Sequence, residues 1–256
     1  MKKENKTAIV TGSSSGVGAA TCIEFAKRGW NVVVNYSKSK SDAYEVAEIC
    51  KSFGVNVLVC QANVADETDC KRMVEETINA LNRIDVLVNN AGATRFCDYN
   101  DLDGLNKQDF QDLYEVNVFG AYQMVKLAAK HLKKAGGAIV NVTSISAVSG
   151  VGSSIAYAAS KGALSTMTLS LAHALSPEVR VNGVCPGFIQ TRWTKGFLGE
   201  RYESVKENVE KTTLTHSTSL PEDIAKGIIY LAVDAKTTSG QILTIDGGQL
   251  VYQGKI

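Results

Sequence analysis

Thr7-Ala8-Ile9-Val10-Thr11-Gly12-Ser13-Ser14-Ser15-Gly16-Val17-Gly18 is the stretch that decides the fold. Thr7 to Val10 is a short β-type run, glycines follow at once, and a helical pattern runs from Ala19 to Arg28. A strand that breaks into a glycine loop and then a helix can hold a pyrophosphate. The glycines allow a tight turn and close backbone approach, and the helix N-terminus offers unpaired N–H groups and partial positive charge. Glycine and serine also collect in ordinary turns, so the placement between strand and helix carries the argument. The spacing is G-x-x-x-G-x-G and lacks the G-K-[ST] ending of a nucleoside triphosphate loop. Gly12, Ser14, Ser15, Gly16, Val17 and Gly18 are the expected dinucleotide contacts.

Working outward, further apolar runs cover Asn31 to Asn35, Val55 to Val59, Ile84 to Val88, Ala138 to Val142, Val179 to Val184 and Ile242 to Ile245. Such runs suit strands buried on both faces of a parallel sheet. Apolar residues at helical spacing mark Asp42 to Phe53, Glu67 to Leu81, Phe110 to Lys134, Tyr157 to Leu175 and Glu222 to Ala232. Pro221 before Glu222 and Asp223 is a good helix start. The alternation predicts an α/β fold: a single doubly wound (Rossmann) parallel sheet with helices on both faces, spanning 1–256 as one domain. Residues 188–220 break the rhythm with polar sequence carrying Trp193, Phe197 and Leu198. An insertion there is expected to be a substrate lid, with a plain surface helix pair as the alternative.

The bulk composition excludes several classes. The chain is 45% hydrophobic and 21% charged with a formal net charge of +1, which gives no reason to expect nucleic acid or an acidic membrane surface. No apolar run is long enough to span a bilayer, and Met1 to Lys6 is polar, so a cytoplasmic enzyme is expected. The six cysteines form no C-x-x-C pair and lie at no metal-ligand spacing from His131, His173 or His216; no metal is expected.

The end of the second strand reads Asn35-Tyr36-Ser37-Lys38, with no carboxylate to bond a ribose 2′-hydroxyl. Ser37 and Lys38 could instead meet a 2′-phosphate, so NADP(H) is favoured over NAD(H). Further on, Tyr157-Ala158-Ala159-Ser160-Lys161 places Tyr157 and Lys161 on one helix face. An ammonium beside a phenol is expected to lower the phenol's pKa and make it a usable acid/base.

Thr11-Gly12-x-x-x-Gly16-x-Gly18, Asn89-Asn90-Ala91-Gly92, Asn117, Ser144, Tyr157-x-x-x-Lys161, Pro186-Gly187 and Asp246-Gly247-Gly248 occur in this order. Over roughly residues 5 to 250 the set resembles the short-chain dehydrogenase/reductase family. The resemblance implies that Tyr157 is the general acid/base, that Ser144 bonds the same substrate oxygen, and that Lys161 binds the nicotinamide ribose. It implies a water on Asn117 that links Lys161 to solvent. It also implies cofactor contacts at Tyr36, Asn63, Val64, Asn90, Ala91, Gly92, Pro186, Gly187, Ile189 and Thr191. Asn63 stands where the family usually has Asp, and Ser15 where many NADP-preferring members have a basic residue. Tyr36 stands where NAD-preferring members are often acidic.

A carbonyl reductase or alcohol dehydrogenase for a small-molecule carbonyl or secondary alcohol is therefore expected. A 3-oxoacyl-carrier-protein reductase and a sugar or polyol dehydrogenase are alternatives within that chemistry. For docking an acidic carrier protein the chain offers Lys126, Lys130, Lys133 and Lys134, but the segment after Lys161 carries His173 and little positive charge, so that reading is open and not favoured. A dinucleotide sensor without turnover is the alternative from another class, and it would have no need of Tyr157, Lys161 and Ser144. The family implies a homotetramer or homodimer, with Phe119, Tyr122 and Leu169 either at the contact or packed on the sheet.

Overall fold

The computed structural model describes residues 6–253; residues 1–5 and 254–256, the two ends of the expected 1–256 domain, lie outside the described residues. The strands are β1 (Thr7–Val10), β2 (Asn31–Tyr36), β3 (Val57–Gln61), β4 (Val86–Asn89), β5 (Ala138–Val142), β6 (Arg180–Pro186) and β7 (Ile242–Ile245). They form one sheet in the order β3-β2-β1-β4-β5-β6-β7, and every pairing is parallel. The doubly wound α/β expectation holds. The direction of winding reverses between β1 and β4, where a ligand crevice belongs in such a sheet.

The strand alternation sorts the core into two layers. Ala8, Val10, Val32, Val34, Val86, Val88 and Val140 face one side, with α1 (Gly16–Lys27), α2 (Lys40–Lys51) and Ile224 and Ile228 from a late helix. Ile9, Val33, Leu87 and Ile139 face the other, with Met73 of α3 (Glu67–Leu81) and residues of two later helices. Each residue changes face from its neighbour, the period of two that a pleated strand imposes. Tyr36 shares parity with Val32 and Val34, so its side chain is buried in the first layer.

The segment expected as one helix from Phe110 to Lys134 is divided. It comprises α4 (Lys107–Tyr114), a π-helical segment (Glu115–Gly120) and α5 (Ala121–Ala135). The start lies earlier than periodicity placed it because Asn106 and Asp109 form a capping box. The extra residue of the π turn is held by Asn117, anchored across to Ala93 and Ser160, and by close packing of Gly120 on the Val64 carbonyl. A short α6 (Ser146–Ser149) precedes α7 (Ile155–Ala174), which Ser154 caps. Residues 188–220 hold α8 (Arg192–Leu198), a 3₁₀ turn (Gly199–Arg201) and α9 (Tyr202–Lys211).

The late helix expected to reach Ala232 is α10 (Pro221–Ile229), followed by a second π segment (Tyr230–Asp234). The Arg180 guanidinium closes that end by donating to Leu231 O, Ala232 O and Ala235 O at 2.6–2.9 Å. All six cysteines are buried and free. Among the described residues no helix is long and apolar enough to cross a membrane.

Ile139 is fully buried in the central strand β5. Ile139→Ala is expected to lower the unfolding free energy by about 2–5 kcal/mol. A urea titration would read this as a lower midpoint at unchanged slope; a shift under about 1 kcal/mol would contradict the two-layer core.

Candidate active site

The crevice begins at the glycine loop. Gly12 adopts φ +61°, a left-handed conformation that favours glycine, and a Cβ there would lie 2.8 Å from Ala91 Cα. Its N–H donates to Asn35 Oδ1 at 2.8 Å. Asn90 Nδ2 donates to Thr11 O and Gly12 O at 2.8 and 3.0 Å, and Gly18 lies against the same amide with no room for a side chain. Thr11 Oγ1 accepts from the N–H groups of Asn90 and Ala91, both at 3.0 Å. Thus the Asn-Asn-Ala-Gly strand end is the floor on which the glycine loop sits.

Beyond the loop, Ser15 stands at the N-cap of α1 but its side chain makes no capping bond, and the first turn has no acidic residue. Ser14, Ser15 and Gly16 are partly exposed, while Val17 is buried. The first N–H groups of α1 are left to an external anion, as a dinucleotide pyrophosphate requires. These residues fit that group. Thr191 closes the far side of the loop: its methyl carbon lies 3.5 Å from where a Gly16 Cβ would be. Thr191 is the N-cap of α8, and Ile189 forms a bridge with Ser219.

The remaining expected cofactor positions divide by exposure. Ser37 and Lys38 are exposed past the end of β2, but the Tyr36 ring belongs to the core. Asn63 is exposed and its Oδ1 accepts from Ala65 N at 3.2 Å; Val64 is buried. Gly92 is exposed, Pro186 ends β6, and Gly187 N donates to Ile245 O at 3.0 Å.

Tyr157 and Lys161 share one face of α7, whose start is fixed by Ser154 Oγ accepting from Tyr157 N at 3.2 Å. The Ser144 hydroxyl stands close enough to the Tyr157 phenol to act on its pKa. The Lys161 ammonium is buried, donates to Val142 O at 2.8 Å and lies 5.9 Å from the Tyr157 ring centroid. Burial pushes the Tyr157 phenol up to about 12, with the Ser144 hydrogen bond pulling the other way. This corrects the expected lowering. Desolvation is the largest influence on the phenol, and the Lys161 ammonium is itself desolvated, its own value reduced to about 8 by burial.

Asn117 lies in the first π segment with both side-chain ends engaged. Its Oδ1 accepts from Ala93 N at 2.8 Å, and its Nδ2 donates to Ala93 O and Ser160 Oγ at 3.0 and 2.9 Å. Ser160 Oγ donates to Tyr157 O at 2.8 Å, so Asn117 is tied to the tyrosine's own turn.

Aromatic rings from 188–220 cover the tyrosine. Trp193 lies 6.5 Å from Tyr157 between centroids, Phe197 packs edge-on to Trp193 at 5.3 Å, and the Arg201 guanidinium sits 4.5 Å over Phe96. Thr94 and Ser153 share a hydrogen bond, and Tyr99 OH donates to Ser154 O at 3.2 Å. Among the described residues no three His, Cys, Asp or Glu side chains are grouped to hold a metal ion.

Several residues went unassigned in the sequence. Thr11 and Asn35 carried no role of their own there, and only the parallel register brings Asn35 beside Gly12. Ser154, three residues before Tyr157, is a cap signal that was legible. Ser146 beside Ser144 had no signal of its own.

Comparison with known proteins gives the family and the fold. The model of a family described as enoyl-(acyl carrier protein) reductase matches residues 12–249. A protein of Streptomyces violaceoruber named as ketoacyl reductase 2 of the granaticin polyketide synthase is 39% identical over 246 residues, 96% of each chain. The 3-oxoacyl-[acyl-carrier-protein] reductase FabG of Staphylococcus aureus is 35% identical, over 96% of this chain and 98% of that one. A crystal structure from Burkholderia xenovorans, described as a short-chain dehydrogenase/reductase, superposes with a TM-score of 0.91 at 33% identity. It covers 98% of this chain and all of the other.

The lowered Lys161 value has a consequence for stability. Between about 8 and the ordinary lysine value of 10.5 the unfolded chain holds a proton that the folded chain has released, so stability rises with pH there. The raised Tyr157 value acts oppositely, but only above its ordinary 10.0. Lys161→Met is expected to flatten the rise in urea midpoint from about pH 7.5 to about pH 9.5. Parallel profiles for variant and parent would show that the ammonium is not desolvated.

Proposed function

The chain belongs to the short-chain dehydrogenase/reductase family and is an oxidoreductase acting on CH–OH or carbonyl groups, and from that premise we propose that it is an NADP(H)-dependent carbonyl reductase in which Tyr157 is the general acid/base. The observation that carries this reading is the junction of Tyr157 with Ser144, above a buried Lys161 and beside an uncapped helix N-terminus. When bound, the nicotinamide supplies or accepts the hydride. The N–H groups opening α1, with Gly12, Ser14, Ser15, Gly16, Val17 and Gly18, hold the pyrophosphate. Ser37 and Lys38 receive the 2′-phosphate. Asn63, Val64, Asn90, Ala91 and Gly92 border the adenosine, and Pro186, Gly187, Ile189 and Thr191 border the nicotinamide. Tyr36 contributes main chain only, since its ring is in the core.

Ser144 and Tyr157 hold the substrate oxygen between them, and the Tyr157 proton moves to it during reduction. A phenol above the ordinary tyrosine value stays protonated at neutral pH, which suits proton donation. Lys161 binds the nicotinamide ribose and replaces the proton, with Asn117 holding the turn that carries both. A sensor would have no use for this junction.

Residues 188–220 act as the substrate lid of a single domain, with Trp193 and Phe197 above the reacting oxygen. The exposed rings of Phe119 and Tyr122 and the exposed Leu169 suit a homodimer or homotetramer contact. A 3-oxoacyl substrate is the second reading, favoured by the two reductase relatives. Lys126 and Lys133 already pair with Glu67 and Glu178, which leaves the expected carrier-docking set weaker.

Oxidation of NADPH and NADH, followed by absorbance with small ketones, 3-oxoesters and aldehydes, tests the reading. Tyr157→Phe is expected to lose about 10²- to 10⁴-fold in kcat while still binding dinucleotide. Lys38→Ala is expected to narrow the preference for NADPH. Faster turnover with NADH would overturn the 2′-phosphate assignment alone, and full activity of Tyr157→Phe would overturn the mechanism. Trp193→Ala is expected to raise KM for bulky apolar ketones about threefold to tenfold and leave acetone-sized substrates unchanged; equal effects on both would remove the indole from the substrate's path.

A further inference from the structure

Ser146 places a buried hydroxyl directly behind Ser144, at a position with no role in the mechanism above. Its Oγ accepts the Ser144 hydroxyl proton at 3.1 Å, and its N–H donates back to Ser144 Oγ at 3.2 Å. Among the described residues Ser146 Oγ has no other hydrogen-bond partner. The loop before α7 is folded onto it: a Cβ at Gly152 would lie 3.0 Å from Ser146 Cβ, inside contact of its Oγ, and 3.4 Å from Tyr157 Cδ1. The absence of a side chain at 152 is therefore what lets Ser146 stand within reach of Ser144.

We infer that Ser146 is a positioning residue that orients the Ser144 hydroxyl for proton transfer at Tyr157; this rests on the reading of Ser144 and Tyr157 as the pair that holds the substrate oxygen. A serine hydroxyl has one proton, two acceptor sites and a free rotor. Ser146 restrains all three features of Ser144. Its N–H occupies one acceptor site and its Oγ takes the proton, so the remaining acceptor site is left to Tyr157. When a carbonyl oxygen arrives, Ser144 must turn its proton to that oxygen. Ser146 can then reverse and donate its own hydroxyl proton to Ser144, giving a chain from Ser146 through Ser144 to the carbonyl. Each link polarises the next, and Ser144 becomes a stronger donor as negative charge develops on the oxygen. No bond other than hydrogen bonds is made or broken at Ser146. Because the gain falls on the charge-developing step and not on substrate contact, it belongs in kcat and not in KM.

The test is a double-variant cycle with NADPH and ethyl acetoacetate, or the fastest-reacting ketone of the panel above. Ser146→Ala is expected to lower kcat about threefold to tenfold with KM changed less than about twofold. Gly152→Ala, which pushes Ser146 aside without removing it, is expected to lower kcat in the same sense. In a Ser144→Ala background neither change should reduce kcat further, and thermal midpoints are recorded for every variant. An equal further loss in that background would mean that Ser146 acts by packing, and would overturn the inference. Unchanged kcat in Ser146→Ala beside an impaired Ser144→Ala would overturn it while leaving the carbonyl reductase reading intact. Full activity of Ser144→Ala, or no turnover by the parent chain, would overturn the reading beneath it and this inference together.

Discussion

The side chain of Thr11 holds the seam on which the site depends. Its hydroxyl donates to Val88 O at 3.3 Å and accepts from two main-chain N–H groups just past β4. β1 and β4 are neighbours in the sheet, but their outgoing chains leave to opposite faces. At that parting the sheet offers no further ladder bonds, and buried backbone groups left unpaired are costly. Thr11 and Asn90 supply the missing partners. They fix the glycine loop against the Asn-Asn-Ala-Gly corner, and with it the direction in which α1 presents its free N–H groups. Everything placed relative to a bound dinucleotide inherits that alignment.

A second set of bonds sets the side chains proposed to react. Val142 O at the end of β5 anchors Lys161, Ser160 links the tyrosine turn to Asn117, and Ser154 fixes where α7 begins. These contacts run from sheet to helix or from helix to helix, and few of them join two residues both named in the family pattern. The side chains that match the family pattern are held by ones that do not. Burial governs the electrostatics: it raises the phenol and lowers the ammonium, so both are biased to their neutral forms.

The strands and their order of use were legible because each is a compact apolar run bounded by polar or glycine residues, a pattern that tertiary context seldom overrides. The Tyr157–Lys161 pair was legible because helical spacing alone puts them on one face. Tyr36 shows a readable signal that was missed: parity with Val32 and Val34 already assigned its ring to the core. The π turn at Glu115–Gly120 was beyond reach, since periodicity cannot register one added residue when contacts to Ala93 and Val64, remote in sequence, hold it. The same applies to the pKa of Tyr157. Spacing reveals that a cation is near, but the burial that raises the phenol exists only in three dimensions.

The six thiols sit at 8% exposure or less, and burial holds Cys50, Cys60 and Cys70 near 12. Thiolate is the reactive form, so the folded chain is chemically quiet toward alkylating and oxidising reagents. The natural thiols are therefore expected to react more slowly than a cysteine on the surface. A single cysteine introduced on an exposed position of α8 or α9 is expected to take a fluorophore or spin label ahead of the buried natural thiols, which favours that segment for distance measurements across the mouth of the crevice.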